Sequence, residues 1–125
     1  DDVDGEGIFR SASDLAVIGN KIYIAEEDTI DYGLFEDGYV SIFDISDAYR
    51  PQFLKRLKPG DGLPDGFTVA HSLTPTPDNR YLFVASWHSG YVVKIDTRTD
   101  TVVKVFGPED GLAMPHGFFG AGNIR

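Results

Sequence analysis

One stretch of this sequence occurs twice and starts a third time, and that repetition limits what the chain can fold into more than any other feature. In Ala70-His71-Ser72-Leu73-Thr74-Pro75-Thr76-Pro77-Asp78-Asn79-Arg80-Tyr81-Leu82-Phe83-Val84-Ala85, one short run of β-formers leads into a Pro-Asp-Asn turn and a second leads out. Proline presets φ, while Asp and Asn tolerate a tight backbone and bond to it locally, so the stretch reads as strand, turn, strand. Residues 13–17, the turn Gly19-Asn20 and residues 21–25 follow the same plan upstream, and Met114-Pro115-His116-Gly117-Phe118-Phe119 begins it again downstream. The intervals from Ser13 to Asn20, from His71 to Asp78 and from His116 to Asn123 are equal, which puts Ser13, His71 and His116 at one equivalent position. Matching Pro64-Asp65-Gly66 to Pro115-His116-Gly117 is the alternative, and it does not preserve that interval.

Two further strands follow each hairpin, at 39–44 and 52–57 and again at 91–96 and 101–106. Gly38-Tyr39-Val40 answers Gly90-Tyr91-Val92, with Asp44 and Asp96 at the same distance beyond. Apolar residues alternate or come in short runs broken by turn residues, and no window has a helical period. Gly and Pro, 14 and 7 of 125 residues, supply the turns such a chain needs. Four short strands per unit, recurring at roughly 45 to 60 residues, predict an all-β chain built of β-propeller blades. The expected organisation is an acidic leader at 1–10, a four-stranded antiparallel blade at 11–58, and a second at 59–106 with the loop leading into it. Residues 107–125 would then be the loop and innermost strand of a further blade. Closed propellers carry about four to eight blades, and a pair would leave open sheet edges. The remaining blades are therefore expected in a longer chain, of which this would be a fragment, or in other chains.

The pattern His-x-x-x-x-x-Pro-Asp-x-x-x-Leu-x-Val from His71 to Val84 resembles the YVTN-type repeat of bacterial and archaeal propellers. Residues 38–51, with Val40-Ser41-Ile42-Phe43-Asp44-Ile45-Ser46-Asp47, are similar to the LVIVD-type repeat. The two resemblances cover most of the chain. They are specific for fold and carry little about chemistry.

Charge and composition narrow the function classes. A formal net charge of −9 argues against nucleic acid and anionic membranes, and suits a cationic partner or a metal cation. With no cysteine in the chain, neither a disulfide framework nor a thiolate metal site can form. No apolar run reaches membrane-span length, so no membrane span is expected, and no signal peptide is present. A removed export signal is one expectation for a chain that starts at Asp1-Asp2. Asp2-Val3-Asp4-Gly5-Glu6-Gly7 looks like the start of a calcium loop, but Ser13 stands where such a loop needs Glu, which favours a solvated leader. No Gly-x-Ser-x-Gly elbow occurs, and Gly60-Asp61-Gly62 lacks the Lys and helix of a phosphate loop.

The histidines are the candidate chemistry. In a propeller the innermost strand lines the channel, and the turn between the second and third strands lies at the same end. His71 and His116 would begin innermost strands, and His88, in Trp87-His88-Ser89-Gly90, would occupy such a turn. The acidic loop 26–37 fills that turn in the first unit. Its Glu26, Glu27, Asp28 and Asp31 are candidates for binding a cation or a partner, or form a solvated loop; Tyr32 and Phe35 share the face. Imidazoles converging on one point are a usual start of a copper, zinc or iron site, and a thiolate-free, nitrogen-rich set favours copper. His71 and His116 are the expected metal ligands. His88, Trp87, Ser13 and Asp14 are expected around them, contacting the ligands or a substrate. The structural alternative is that these histidines bond neighbouring backbone.

The placements Pro115-His116-Gly117 and Ala70-His71-Ser72 are similar to those of histidine-lined copper propellers: nitrous oxide reductase, thiocyanate dehydrogenase and the selenium-binding/methanethiol oxidase group. The resemblance implies a periplasmic or secreted copper oxidoreductase acting on a small sulfur or nitrogen compound, with His71 and His116 as ligands. The alternative is a non-catalytic propeller whose acidic face binds a protein or cell-surface ligand.

Overall fold

The structure, a computed structural model, describes residues 12–27 and 37–113. Among them it is all-β. Strands β1 (Ala12–Ile18), β2 (Lys21–Glu27), β3 (Gly38–Asp44) and β4 (Gln52–Pro59) form an antiparallel meander, joined by a two-residue strand β5 (Gly62–Leu63) that runs parallel to the end of β4. A second meander contains β6 (Ala70–Pro75), β7 (Tyr81–Ser86), β8 (Val92–Asp96) and β9 (Thr101–Phe106). The expected strands appear with ends shifted by a residue or two. Two features were not expected, β5 and a single 3-10 turn at Pro108–Asp110; both are too short to show a period. The third start of the repeat, from Met114, lies outside the described residues, as does the leader at 1–10.

The two meanders are the same unit in detail. Ala12 pairs with Glu26 and Asp14 with Ala25, so Ser13 is the extra residue of a bulge; Ala70 pairs with Ser86 and Ser72 with Ala85, so His71 is too. Between the third and fourth strands, Ile42 pairs with Lys55 and Phe43 with Phe53, leaving out Leu54. Lys94 pairs with Lys104 and Ile95 with Val102, leaving out Val103. A bulge disrupts the ladder locally and is a specified feature. Two bulges at matching places in both sheets fix the alignment that sets Ser13 against His71. The repeated aspartates also share a role. Asp44 accepts the Ser46 amide at 2.7 Å and Asp96 accepts the Arg98 amide at 2.9 Å, so each closes the turn after its strand. Hydrogen bonds from Ser46 hold the Asp44 carboxyl below the ordinary carboxylate range; at Asp96 the forked Arg80 guanidinium is the larger cause. The repeated glycines differ: Gly90 has φ +73°, whereas a Cβ on Gly38 would sit 2.6 Å from the Ala70 amide nitrogen.

Register partners share a face of a sheet. Ala16, Tyr23, Ala25, Val40, Ile42 and Leu57 on one face of the first sheet form a single core with Leu73, Leu82, Val84, Val93 and Ile95 of the second, and with Leu63 and Phe67 from the connection. Backbone approach between the sheets concentrates on β6, which runs against β1, β2 and β3. Polar groups tie both ends of the interface. At one end the Tyr23 hydroxyl donates to Asp100 at 2.5 Å, Lys21 donates to the same carboxylate at 2.7 Å, and Lys55 donates to the Asp100 carbonyl at 3.0 Å. Burial, then Asp100, push the Tyr23 hydroxyl far above the ordinary tyrosine range. At the other end Gly38 donates its amide to the Phe67 carbonyl at 2.9 Å, shortly before the candidate His71 in the chain.

Candidate functional site

A bulge re-aims a side chain out of the alternating pleat, and His71 is placed by one. Its Nδ1 is hydrogen-bonded to the carboxylate of Glu27, the last residue of β2, so the pair spans the two sheets. The His71 ring lies against Trp87 (centroids 5.4 Å apart, 39° between planes), and Trp87 lies against His88 (4.6 Å, 43°). The His71 side chain is one-third exposed, at 33%. Behind these rings, the segment before β6 is clamped to the β7–β8 turn. The Ser86 hydroxyl bonds the Thr68 carbonyl and the Ser89 hydroxyl, and the Trp87 amide donates to the Val69 carbonyl at 3.2 Å. Val69 is buried at φ +49°, a conformation costing a β-branched residue on the order of 1–3 kcal/mol. The surrounding bonds over-determine that backbone and so set where His71 begins.

The Glu27 carboxylate gives the imidazole a defined chemistry. Where the carboxylate accepts Nδ1–H, the lone pair of a neutral imidazole is on Nε2, and the hydrogen bond fixes the ring plane. An imidazole held in this way can ligate a metal or accept a proton through Nε2.

The other sequence candidates divide. Ser13 and Asp14 belong to the tie between sheets. The Ser13 hydroxyl donates to the Ala70 carbonyl at 2.7 Å, and one Asp14 oxygen accepts the Leu73 amide at 2.8 Å. Removing that acceptor leaves the Leu73 amide unpaired, so Asp14→Ala is expected to lower stability by about 1–2 kcal/mol in urea denaturation. Glu26, expected on an exposed loop, is instead buried, bonded to the Ser41 hydroxyl and 3.5 Å from Arg56. Trp87 lies between the other two rings, against His71 on one side and His88 on the other. His116, Asp28, Asp31, Tyr32 and Phe35 lie outside the described residues. Among the described residues no group of three or more His, Cys, Asp or Glu is placed to hold a metal ion.

Sequence reasoning missed the role of Glu27, which was grouped with the loop acids. The available signal was its position at the end of a second strand, level with the start of the first strand of its neighbour. It also missed Asp100, whose partners Tyr23 and Lys21 come from the other sheet. Comparison of the chain with protein-family models, curated proteins and solved structures gave no match.

Proposed function

We propose that the chain forms part of a β-propeller with a nitrogen-ligated metal at the end of the interface where β1 and β6 meet, serving an oxidoreductase. His71 is a ligand through Nε2, and copper is the metal. The propeller reading is supported by two copies of one four-stranded unit packed face to face, with the approach concentrated on the first strand of the second. The observation that carries the metal reading is the Glu27 carboxylate on His71 Nδ1, the arrangement that raises ligand basicity and orients a metal-binding imidazole. Copper is favoured over zinc and iron by the lack of any thiolate in the chain. His116, at the position equivalent to His71 in the sequence, is the proposed second ligand. Bound copper would supply the one-electron chemistry, and the protein's own residues orient the imidazole and shield it with Trp87. A small sulfur or nitrogen compound is the substrate class this reading carries, and a periplasmic or extracellular location goes with it.

The test is metal content per chain after copper loading and dialysis. Wild type is expected to retain copper, His71→Ala to lose it, and Glu27→Gln to bind about 10–100-fold more weakly. Wild type that holds no copper, zinc or iron, or His71→Ala that holds as much as wild type, would overturn the reading.

One observation favours a second reading, a non-catalytic module for a protein or cell-surface ligand. Trp87 and His88 form a half-buried aromatic pair, and Trp87 also lies against the His71 ring that Glu27 holds, a surface suited to a ring or a cation. This reading expects the native protein to be metal-free.

A further inference from the structure

The four peptide groups that lead up to His71 each have their carbonyl bonded to a different residue. The Phe67 carbonyl accepts from the Gly38 amide at 2.9 Å, the Thr68 carbonyl from the Ser86 hydroxyl, the Val69 carbonyl from the Trp87 amide at 3.2 Å, and the Ala70 carbonyl from the Ser13 hydroxyl at 2.7 Å. Gly38 and Ser13 belong to the first sheet; Ser86 ends β7 in the second, and Trp87 follows it. Thr68 is held again through its amide, which donates to the Ser89 hydroxyl at 3.3 Å, and by a backbone bridge to Asp37. A peptide group is planar, so holding a carbonyl also holds the amide nitrogen of the next residue. The Ala70 carbonyl and the His71 nitrogen share one such plane. Ser13 has one hydroxyl proton to donate, and the Ala70 oxygen lies nearer to it than the Ala25 oxygen at 3.3 Å. Four held planes keep Val69 at φ +49° and leave the side-chain torsions of His71 as the main freedom at that position. Glu27 and Trp87 then restrict those torsions, the first by bonding Nδ1 and the second by lying against the ring.

We propose that Ser13 and Ser86 are positioning residues for the His71 imidazole, acting through the Ala70 and Thr68 carbonyls. His71 belongs to the second sheet but is aimed from the first at two points, its backbone by Ser13 and its ring by Glu27. Ser13 occupies in the first sheet the bulge that His71 occupies in the second. The repeated position therefore has two roles: in one sheet it supplies the imidazole, and in the other it supplies the hydroxyl that sets where the imidazole stands. The inference deepens the proposed function, and only its effect on metal affinity rests on that reading.

Proton NMR reads the place of the ring, because Trp87, the chain's one tryptophan, shifts protons that lie against it. At a pH where imidazoles are neutral, His71→Ala identifies the signals and Trp87→Leu gives their unshifted values. Ser13→Ala and Ser86→Ala are each expected to move the His71 ring protons towards those values, and Ser13→Thr, which keeps the hydroxyl, to leave them in place. Asp100→Ala weakens the opposite end of the interface and is expected to leave them in place too; a merely structural role for the serines would move them in all three alanine variants. Ser13→Ala is also expected to bind copper about tenfold more weakly than wild type. Circular dichroism checks that each variant folds; if the buried Ser86 is needed for folding, the exposed Ser13 decides. Unmoved His71 signals in folded Ser13→Ala, equal movement in Asp100→Ala, or wild-type signals already at the Trp87→Leu values would overturn the inference. A wild type that binds no copper overturns the metal reading alone, and the ring shifts still test the serines.

Discussion

Replacing Arg56 with alanine is expected to lower stability by about 3–5 kcal/mol, because it leaves a buried carboxylate without its cation. Glu26, 1% exposed on β2, is bonded to the Ser41 hydroxyl of β3, which accepts from Arg56 Nε of β4 at 2.8 Å. The network crosses three neighbouring strands, and the Arg56 guanidinium also lies 5.9 Å from the centroid of the Tyr39 ring. Its equivalents in the second sheet are Ser86, Val93 and Val105, which carry no charge, so the unit does not need the charges in order to fold. It follows that Glu26→Leu/Arg56→Met should recover most of the loss, since desolvating neither charge offsets losing the pair. Urea denaturation of wild type, both single variants and the double variant closes the cycle. An Arg56→Ala protein within about 1 kcal/mol of wild type would mean that solvent reaches Glu26, as at an ordinary surface pair.

The second large effect lies at the far end of the interface. Asp100→Ala is expected to cost about 2–3 kcal/mol, since it removes the acceptor for a buried hydroxyl and a charged amine together. Tyr23 would keep only the Thr97 carbonyl at 3.3 Å, and Lys21 the same carbonyl at 3.1 Å. The backbone adds to the loss: Asp100 has φ +54°, which Asp tolerates better than Ala. Asp100→Asn keeps that tolerance and should be milder. The same cluster sets an alkaline limit. Folding keeps the Tyr23 hydroxyl protonated well above 10.0, where the unfolded chain ionises it. The folded state then binds more protons than the unfolded state, so stability is flat below that value and falls as pH rises beyond it. Tyr23→Phe should remove this part of the slope, as read by denaturation midpoints between about pH 8 and 11.

The strands and their order were legible because the signals are local. Alternating β-formers at 21–25 and 81–85, and the turns at Gly19-Asn20 and Pro77-Asp78-Asn79, each act within a few residues. The equal interval that paired Ser13 with His71 reflected a real equivalence, since both occupy the same bulge. The bulge itself is a property of register between strands, and no single segment encodes it. The site was legible only in part for the same reason. His71, Trp87 and His88 belong to one sheet and follow from the order of its strands. Glu27 reaches His71 across the interface, and Asp100 reaches Tyr23 across it, through packing angles that spacing along the chain does not specify. Glu26 went to the interior because Ser41 and Arg56 on adjacent strands accommodate its charge there, although its place in an acidic run suggested solvent.

Under the proposed function His71, held by Glu27 through Nδ1, ligates a metal through Nε2. Pulsed electron paramagnetic resonance of the copper(II)-loaded protein reads the ring nitrogen remote from the metal. The proposal expects modulation from that nitrogen in wild type, a shallower modulation in His71→Ala, where the His116 imidazole alone would remain, and a changed coupling in Glu27→Gln, where the partner of Nδ1 becomes neutral. Absence of the modulation in wild type, or the same modulation in His71→Ala, would contradict it.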